Sequence, residues 1–245
     1  IHRWGHVSRV ARGARWIVKE RDGSRKEQYL AYTSGLLHDI VRPVTEERCH
    51  AEASAEKAKE ILQNFNFEEK EISRICKAIR DHRGTSEGWE SEVHRSVYLA
   101  DKVFEHMGAY LDFRACVWAG ELSDTDYKDL QPVEAVLKYY DEASDKFLDA
   151  DFPDFIEPIV AYQRQWNRRF YEGLKNDESW AKDMAVRLFE KGKEKADFDE
   201  TLRDFKTEEG EQNRWKKEAV TYLDSDLDSS IFKMFINRSR SGAKF

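Results

Sequence analysis

Seven histidines, His2, His6, His38, His50, His82, His94 and His106, all fall in the first half of a 245-residue chain. Imidazole titrates near neutrality and is the commonest metal ligand, so this segregation directs attention to that half. A histidine taken alone reads as a surface or hydrogen-bonded core residue; position has to decide. His6 borders the apolar stripe of Val7, Val10, Ala11, Ala14, Ile17 and Val18, and so can face a seam between helices. His38-Asp39 closes a run ending Leu36-Leu37, and Asp101 follows Val97-Tyr98-Leu99-Ala100. A carboxylate buried alone in either place is costly, so something positive must accompany it. A divalent cation shared by His6, His38, Asp39 and Asp101 meets both demands, since imidazole and carboxylate are its normal ligands. On pattern alone, Arg or Lys partners meet them too.

The elements that must position these residues read as helices. Four Pro and 12 Gly are few for the length, and alternating β-branched runs are scarce. Apolar spacing predicts a first helix over about 3–19, a turn at Arg21-Asp22-Gly23-Ser24, and a second helix over 26–40 that Pro43 bars from continuing. Thr45 is placed to cap a third helix through Phe65, and Asn66 a fourth, with Glu69 as its capping-box acid and an end near His82. A fifth spans Val93 to Met107, with Gly108 suited to its C-terminal cap. Beyond Glu121 helical spacing recurs over 132–145, 155–174 and 179–191. The expected fold is all-α, with residues 1–120 as the core carrying the candidate metal residues and 121–245 as a C-terminal helical extension packed on it.

Composition narrows the function classes. With 41 Lys and Arg against 48 Asp and Glu, the net charge is −7 and is dispersed, which argues against long-range capture of DNA. A 40% hydrophobic fraction with 7 Trp, 10 Tyr and 14 Phe argues against a disordered chain despite the high charge. No stretch approaches the ~20 apolar residues of a membrane helix. Cys49, Cys76 and Cys116 form no CxxC pair, so neither a disulfide framework nor a zinc ribbon is suggested. Together with the lack of a basic-then-apolar leader, this gives a cytoplasmic protein as the expectation.

The order His6-x-x-Arg9-Val10, then Leu36-Leu37-His38-Asp39-Ile40, then Ala100-Asp101-Lys102 resembles the H…HD…D signature of the HD-domain metal-dependent phosphohydrolases. His50-Ala51-Glu52-Ala53-Ser54-Ala55 and Ala78-Ile79-Arg80-Asp81-His82 resemble the segments that carry further histidines in many members. The likeness spans about residues 1–120. It implies five or more helices around a metal, with His6, His38, Asp39 and Asp101 as ligands. In members with two metals the equivalents of His50 and His82 bind the second ion, with the Asp of the HD pair bridging; in single-metal members they are replaced or face the substrate. The chain departs from close relatives where Ile40-Val41-Arg42-Pro43 replaces a Gly-Lys pair after His-Asp, and where Val103-Phe104 replaces a Leu-Asp seen in pyrophosphatase-like members. His94, seven residues before Asp101, is read as an exposed histidine; His2 and His106 receive no role.

The implied chemistry is hydrolysis of a phosphate ester or anhydride, in a nucleotide or small phosphorylated metabolite, by a metal-activated water. Asp39 is the candidate proton acceptor or water-orienting group, and His82 the candidate acid for the leaving oxygen. Lys102, Arg9, Arg42 and Arg83 adjoin the ligands and are candidates for binding phosphate, Lys102 first among them. The mixed nitrogen and oxygen shell suits manganese, iron, nickel, cobalt, zinc or magnesium, with manganese the first to try. Alternatives are a mixed-valent di-iron oxygenase using six such ligands, a catalytically silent nucleotide-binding module, and a single-strand nuclease using Trp215-Lys216-Lys217 and Arg238-Ser239-Arg240.

Overall fold

The computed structural model describes residues 4–41, 49–84, 88–106, 108–147, 152–208, 210–225 and 229–241. Among them are twelve α-helices, one π-helical turn and no strand, so the fold is all-α. Contacts divide the chain into two units between Glu105 and His106, where the sequence reading places its boundary near Glu121. The reason is the helix Gly108–Glu121, which packs on later helices.

The N-terminal unit holds α1 (Trp4–Glu20), α2 (Arg25–Leu37), α3 (His50–Leu62), α4 (Glu69–Arg80), α5 (Glu92–Leu99) and the π turn Ala100–Phe104. In α1 the stripe of Val10, Ala14, Ile17 and Val18 is fully buried, as its spacing requires. Burial of each Val or Ile side chain of the stripe stabilises by about 1.5–3 kcal/mol, and that of Ala14 by less. At Asp22 (φ 55°) the chain turns left-handed, and the Gly23 amide donates to the Val18 carbonyl at 2.9 Å, closing α1. Ser24 then opens α2 through a reciprocal capping box with Glu27. The two helices approach closely because Gly35 lies on the α1 backbone; a Cβ there would stand 2.5 Å from the Ala11 Cα.

Three boundaries differ from expectation. First, α2 stops at Leu37, because the His38 imidazole turns back to the Gly35 carbonyl and the chain leaves the helix. His38 and Asp39 therefore stand beyond its end. Second, α4 is opened by Glu68, whose side chain and that of Glu71 form the capping box, in place of Asn66 and Glu69. Third, the fifth helix becomes a π turn after Leu99. Thr45, the expected cap of the third helix, lies outside the described residues; α3 begins at His50 with Cys49 before it.

The C-terminal unit is arranged on α6 (Gly108–Glu121), against which α7 (Pro132–Phe147), α8 (Glu157–Lys175), α9 (Ser179–Lys193), α10 (Phe198–Asp204) and α11 (Gly210–Leu223) pack; α12 (Ser229–Arg240) follows. Gly108 has the left-handed φ (78°) that suits a cap, but it stands where α6 begins. Almost every α6 residue is buried, so the helix has no polar face to give it a period. Its Asp112 carboxylate accepts from Tyr140, from Asn167 Nδ2 at 2.6 Å and from Trp215 Nε1 at 2.7 Å.

Candidate metal centre

Four elements of the N-terminal unit bring their polar residues to one place. His6 sits in the first turns of α1 and is 2% exposed; His38 is fully buried just past α2; His82 follows α4 at 3%; Asp101 lies in the π turn at 5%. The His6 Nε2 is 3.2 Å from the His38 Nε2 and 3.7 Å from both Asp39 Oδ2 and Asp101 Oδ1. The His38 Nε2 is 3.6 Å from Asp39 Oδ2. On the other side of the same carboxylate, Asp39 Oδ1 is 3.5 Å from the His50 Nε2 and 3.8 Å from the His82 Nε2, and those two nitrogens are 3.3 Å apart. Asp39 thus presents one oxygen to each of two imidazole pairs.

The tautomers follow from the groups behind the rings. His38 Nδ1 donates to the Gly35 carbonyl at 2.7 Å, and His82 Nδ1 to the Ile79 carbonyl at 2.6 Å. His6 Nδ1 donates to Glu105 Oε2 at 3.1 Å. With the proton on Nδ1 of each, the Nε2 lone pairs of His6 and His38 point at one another, which repels unless a cation lies between them. The donor separations of 3.2–3.3 Å suit neighbouring ligands of an ion bound at about 2.0–2.2 Å. His6, His38 and Asp101 are grouped closely enough to hold one metal ion, as are His38, Asp39 and His82.

Several residues behave differently from expectation. Arg9 is not available to phosphate: it is buried, and it grips Glu105 through Nε at 2.7 Å and Nη2 at 3.3 Å. Burial alone would raise the Glu105 carboxyl, but the Arg9 charge and the His6 hydrogen bond hold it well below the usual carboxylate range. Glu105 is the residue that sequence reasoning missed; an acid four residues after Asp101, directly following the apolar pair Val103-Phe104, was the signal. The π turn inserts an extra residue, and Asp101 and Glu105 reach His6 at opposite ring nitrogens. His94 is buried rather than exposed. It bonds Asp81 Oδ2 at 2.7 Å, accepts from the Glu90 amide at 3.1 Å and meets the Trp89 ring edge-on, tying the start of α5 to the end of α4.

His82, the candidate acid for the leaving oxygen, lies among the candidate ligands. Burial, with His38 adding to it, lowers its pKa to about 4, so near neutrality it is a neutral ring with a lone pair at Nε2. Lys102, part-buried, has its ammonium 2.9 Å from Asp101 Oδ2. Arg83 is exposed and reaches the Cys49 sulfur at 3.8 Å. Arg42 and His2 lie outside the described residues. Three of the groups considered for nucleic acid are engaged within the protein, while Lys217 and Arg240 are exposed. Trp215 is fully buried on Asp112, Lys216 donates to the Arg203 and Phe205 carbonyls, and Arg238 pairs with Glu218 at 2.7 Å.

The HD domain family model matches residues 3–104, which is nearly the whole N-terminal unit. A protein of Clostridium beijerinckii described as uncharacterised is 32% identical over 123 residues, covering 49% of this chain and 75% of that protein. The chain belongs to the HD-domain metal-dependent phosphohydrolase superfamily. No solved structure matches it. HD domains bind divalent metals and are in general metal-dependent hydrolases, and the histidines and acids gathered around Asp39 are a donor set of that kind. No described helix of this HD protein is long and apolar enough to cross a membrane.

Proposed function

We propose that this protein is a two-metal phosphohydrolase acting on a nucleotide or another small phosphorylated metabolite. The observation that carries the proposal is Asp39, with Oδ2 toward His6 and His38 and Oδ1 toward His50 and His82. On this reading His6, His38, Asp39 and Asp101 hold one divalent ion, and Asp39, His50 and His82 hold the second. Bound there, the ions supply an acidified water and neutralise phosphoryl charge. Asp39, central to the cluster, orients the attacking water. His82 acts as a ligand, in keeping with its depressed pKa, and the sequence-based role of acid is given up. Lys102 offers its ammonium to a phosphate oxygen from beside Asp101. Arg83, exposed one residue after His82, is the outer candidate for the same purpose.

The test is phosphate release from a panel of nucleotides and sugar phosphates by protein loaded with manganese, iron or zinc. Turnover abolished by a chelator and by His38→Ala supports the reading; inactivity across panel and metals removes it. The complete six-residue set also favours a second reading, a di-iron oxygenase. Two irons per chain with oxygen consumption, in place of phosphate release, would establish that alternative.

A further inference from the structure

Arg95 is an unusual cation in the N-terminal unit. It is only part-exposed, its Nε is shielded from solvent without a hydrogen bond, and among the described residues its guanidinium meets no carboxylate, carbonyl or ring. Arg15, Arg25 and Arg80, which also lack an ion pair among the described residues, are exposed to water. A guanidinium stays charged at any working pH, so one whose Nε is shielded and whose outer N–H donors meet no acceptor among the described residues can give those donors to an anion.

Its neighbours connect it to the metal-binding residues. Tyr98, one turn further along α5, is part-buried; Asp101 adds to the upward pull of burial on its hydroxyl, and Arg95 opposes it. The Tyr98 ring rests on Gly84, two residues from His82, where a Cβ would stand 2.8 Å from ring carbon Cε2. Trp89 stacks on it at 5.1 Å and 28°. Arg95 and Tyr98 are three residues apart on one face of α5, and Lys102 follows in the π turn that continues it. Seven residues at ~1.5 Å or less put the two backbone positions at most about 10 Å apart along the axis. One cation stands beside Asp101, the other is part-exposed and unpaired among the described residues, and the stacked, part-exposed rings of Tyr98 and Trp89 belong to the same neighbourhood.

Resting on the hydrolase reading, we propose that the substrate is an organic phosphate bearing a second anionic group, held at Arg95 while Lys102 and the metal-binding residues engage the reacting phosphate. The connecting part of the molecule lies along Tyr98 and Trp89.

The probes are adenosine 3′,5′-bisphosphate and adenosine 5′-monophosphate, compared on metal-loaded protein. Wild type should favour the bisphosphate in kcat/KM, and Arg95→Gln should cut that preference about tenfold, chiefly through KM. Arg95→Lys should restore part of it, and Arg80→Gln on α4 should leave the ratio in place. A wild-type ratio near one, or a ratio that Arg95→Gln does not move, overturns the proposal. If neither nucleotide is hydrolysed, the wider panel of nucleotides and sugar phosphates tests the hydrolase reading separately. Calorimetric binding of the same pair then decides: tighter bisphosphate binding that Arg95→Gln removes supports the second anion site, and equal binding overturns it.

Discussion

Glu105 shows how much of this site lies behind its ligands. The carboxylate fixes the His6 ring through Nδ1 and is itself held by Arg9, 96 residues away in sequence. Local pattern can expose a polar residue in an apolar run, which is how His6, His38, Asp39 and Asp101 were legible. It cannot pair two such residues from distant helices, so Arg9 read as a phosphate ligand and Glu105 went unnoticed. Glu105→Gln should weaken metal binding by about 10–100-fold in a competition titration, because His6 loses its charged orienting partner. Arg9→Met leaves the Glu105 carboxylate buried beside His6 without its cation. It should cost about 3–5 kcal/mol in denaturant unfolding at neutral pH; a loss below about 1 kcal/mol would mean that the pair is not the internal support described.

At the scale of elements, the close crossing of α1 and α2 brings His6 to His38. Gly35 permits it, since an added Cβ meets the Ala11 Cα at 2.5 Å and its amide nitrogen at 2.8 Å, both backbone atoms that cannot swing aside. Gly35→Ala should therefore destabilise by about 1–3 kcal/mol and lower metal retention while circular dichroism stays helical. Full metal content with an unchanged melting point would show that the crossing does not set the His6–His38 distance. Helix existence was legible wherever one face is apolar, as in α1, α3 and α4. The end of α2 was not, because it depends on a side-chain bond from His38 to Gly35. Nor was the π turn after Leu99, which satisfies tertiary demands of His6 and has no periodic signature. Helix α6 was invisible for the opposite reason: burial on all sides erased its period.

The molecule as a whole comprises an HD-type unit and a second helical unit whose stability has its own pH dependence. Burial pushes Asp112 up to about 7, against the pull of hydrogen bonds from Tyr140, Asn167 and Trp215. The folded chain therefore keeps that proton between the ordinary aspartate value of 3.8 and about 7, while the unfolded chain has released it. The unfolded state binds fewer protons there, so this group's contribution to stability falls as pH rises through the window and is level above it. Wild-type stability measured relative to Asp112→Asn should decline from about pH 4 to about pH 7 and then flatten. A relative stability that is constant or rising over that range contradicts the assignment. The most direct test of the central claim is elemental analysis of protein purified without chelator, alongside Asp39→Ala and His50→Ala. The account predicts about two divalent ions per chain in wild type, about one in His50→Ala and almost none in Asp39→Ala. Metal content unchanged by Asp39→Ala would contradict it.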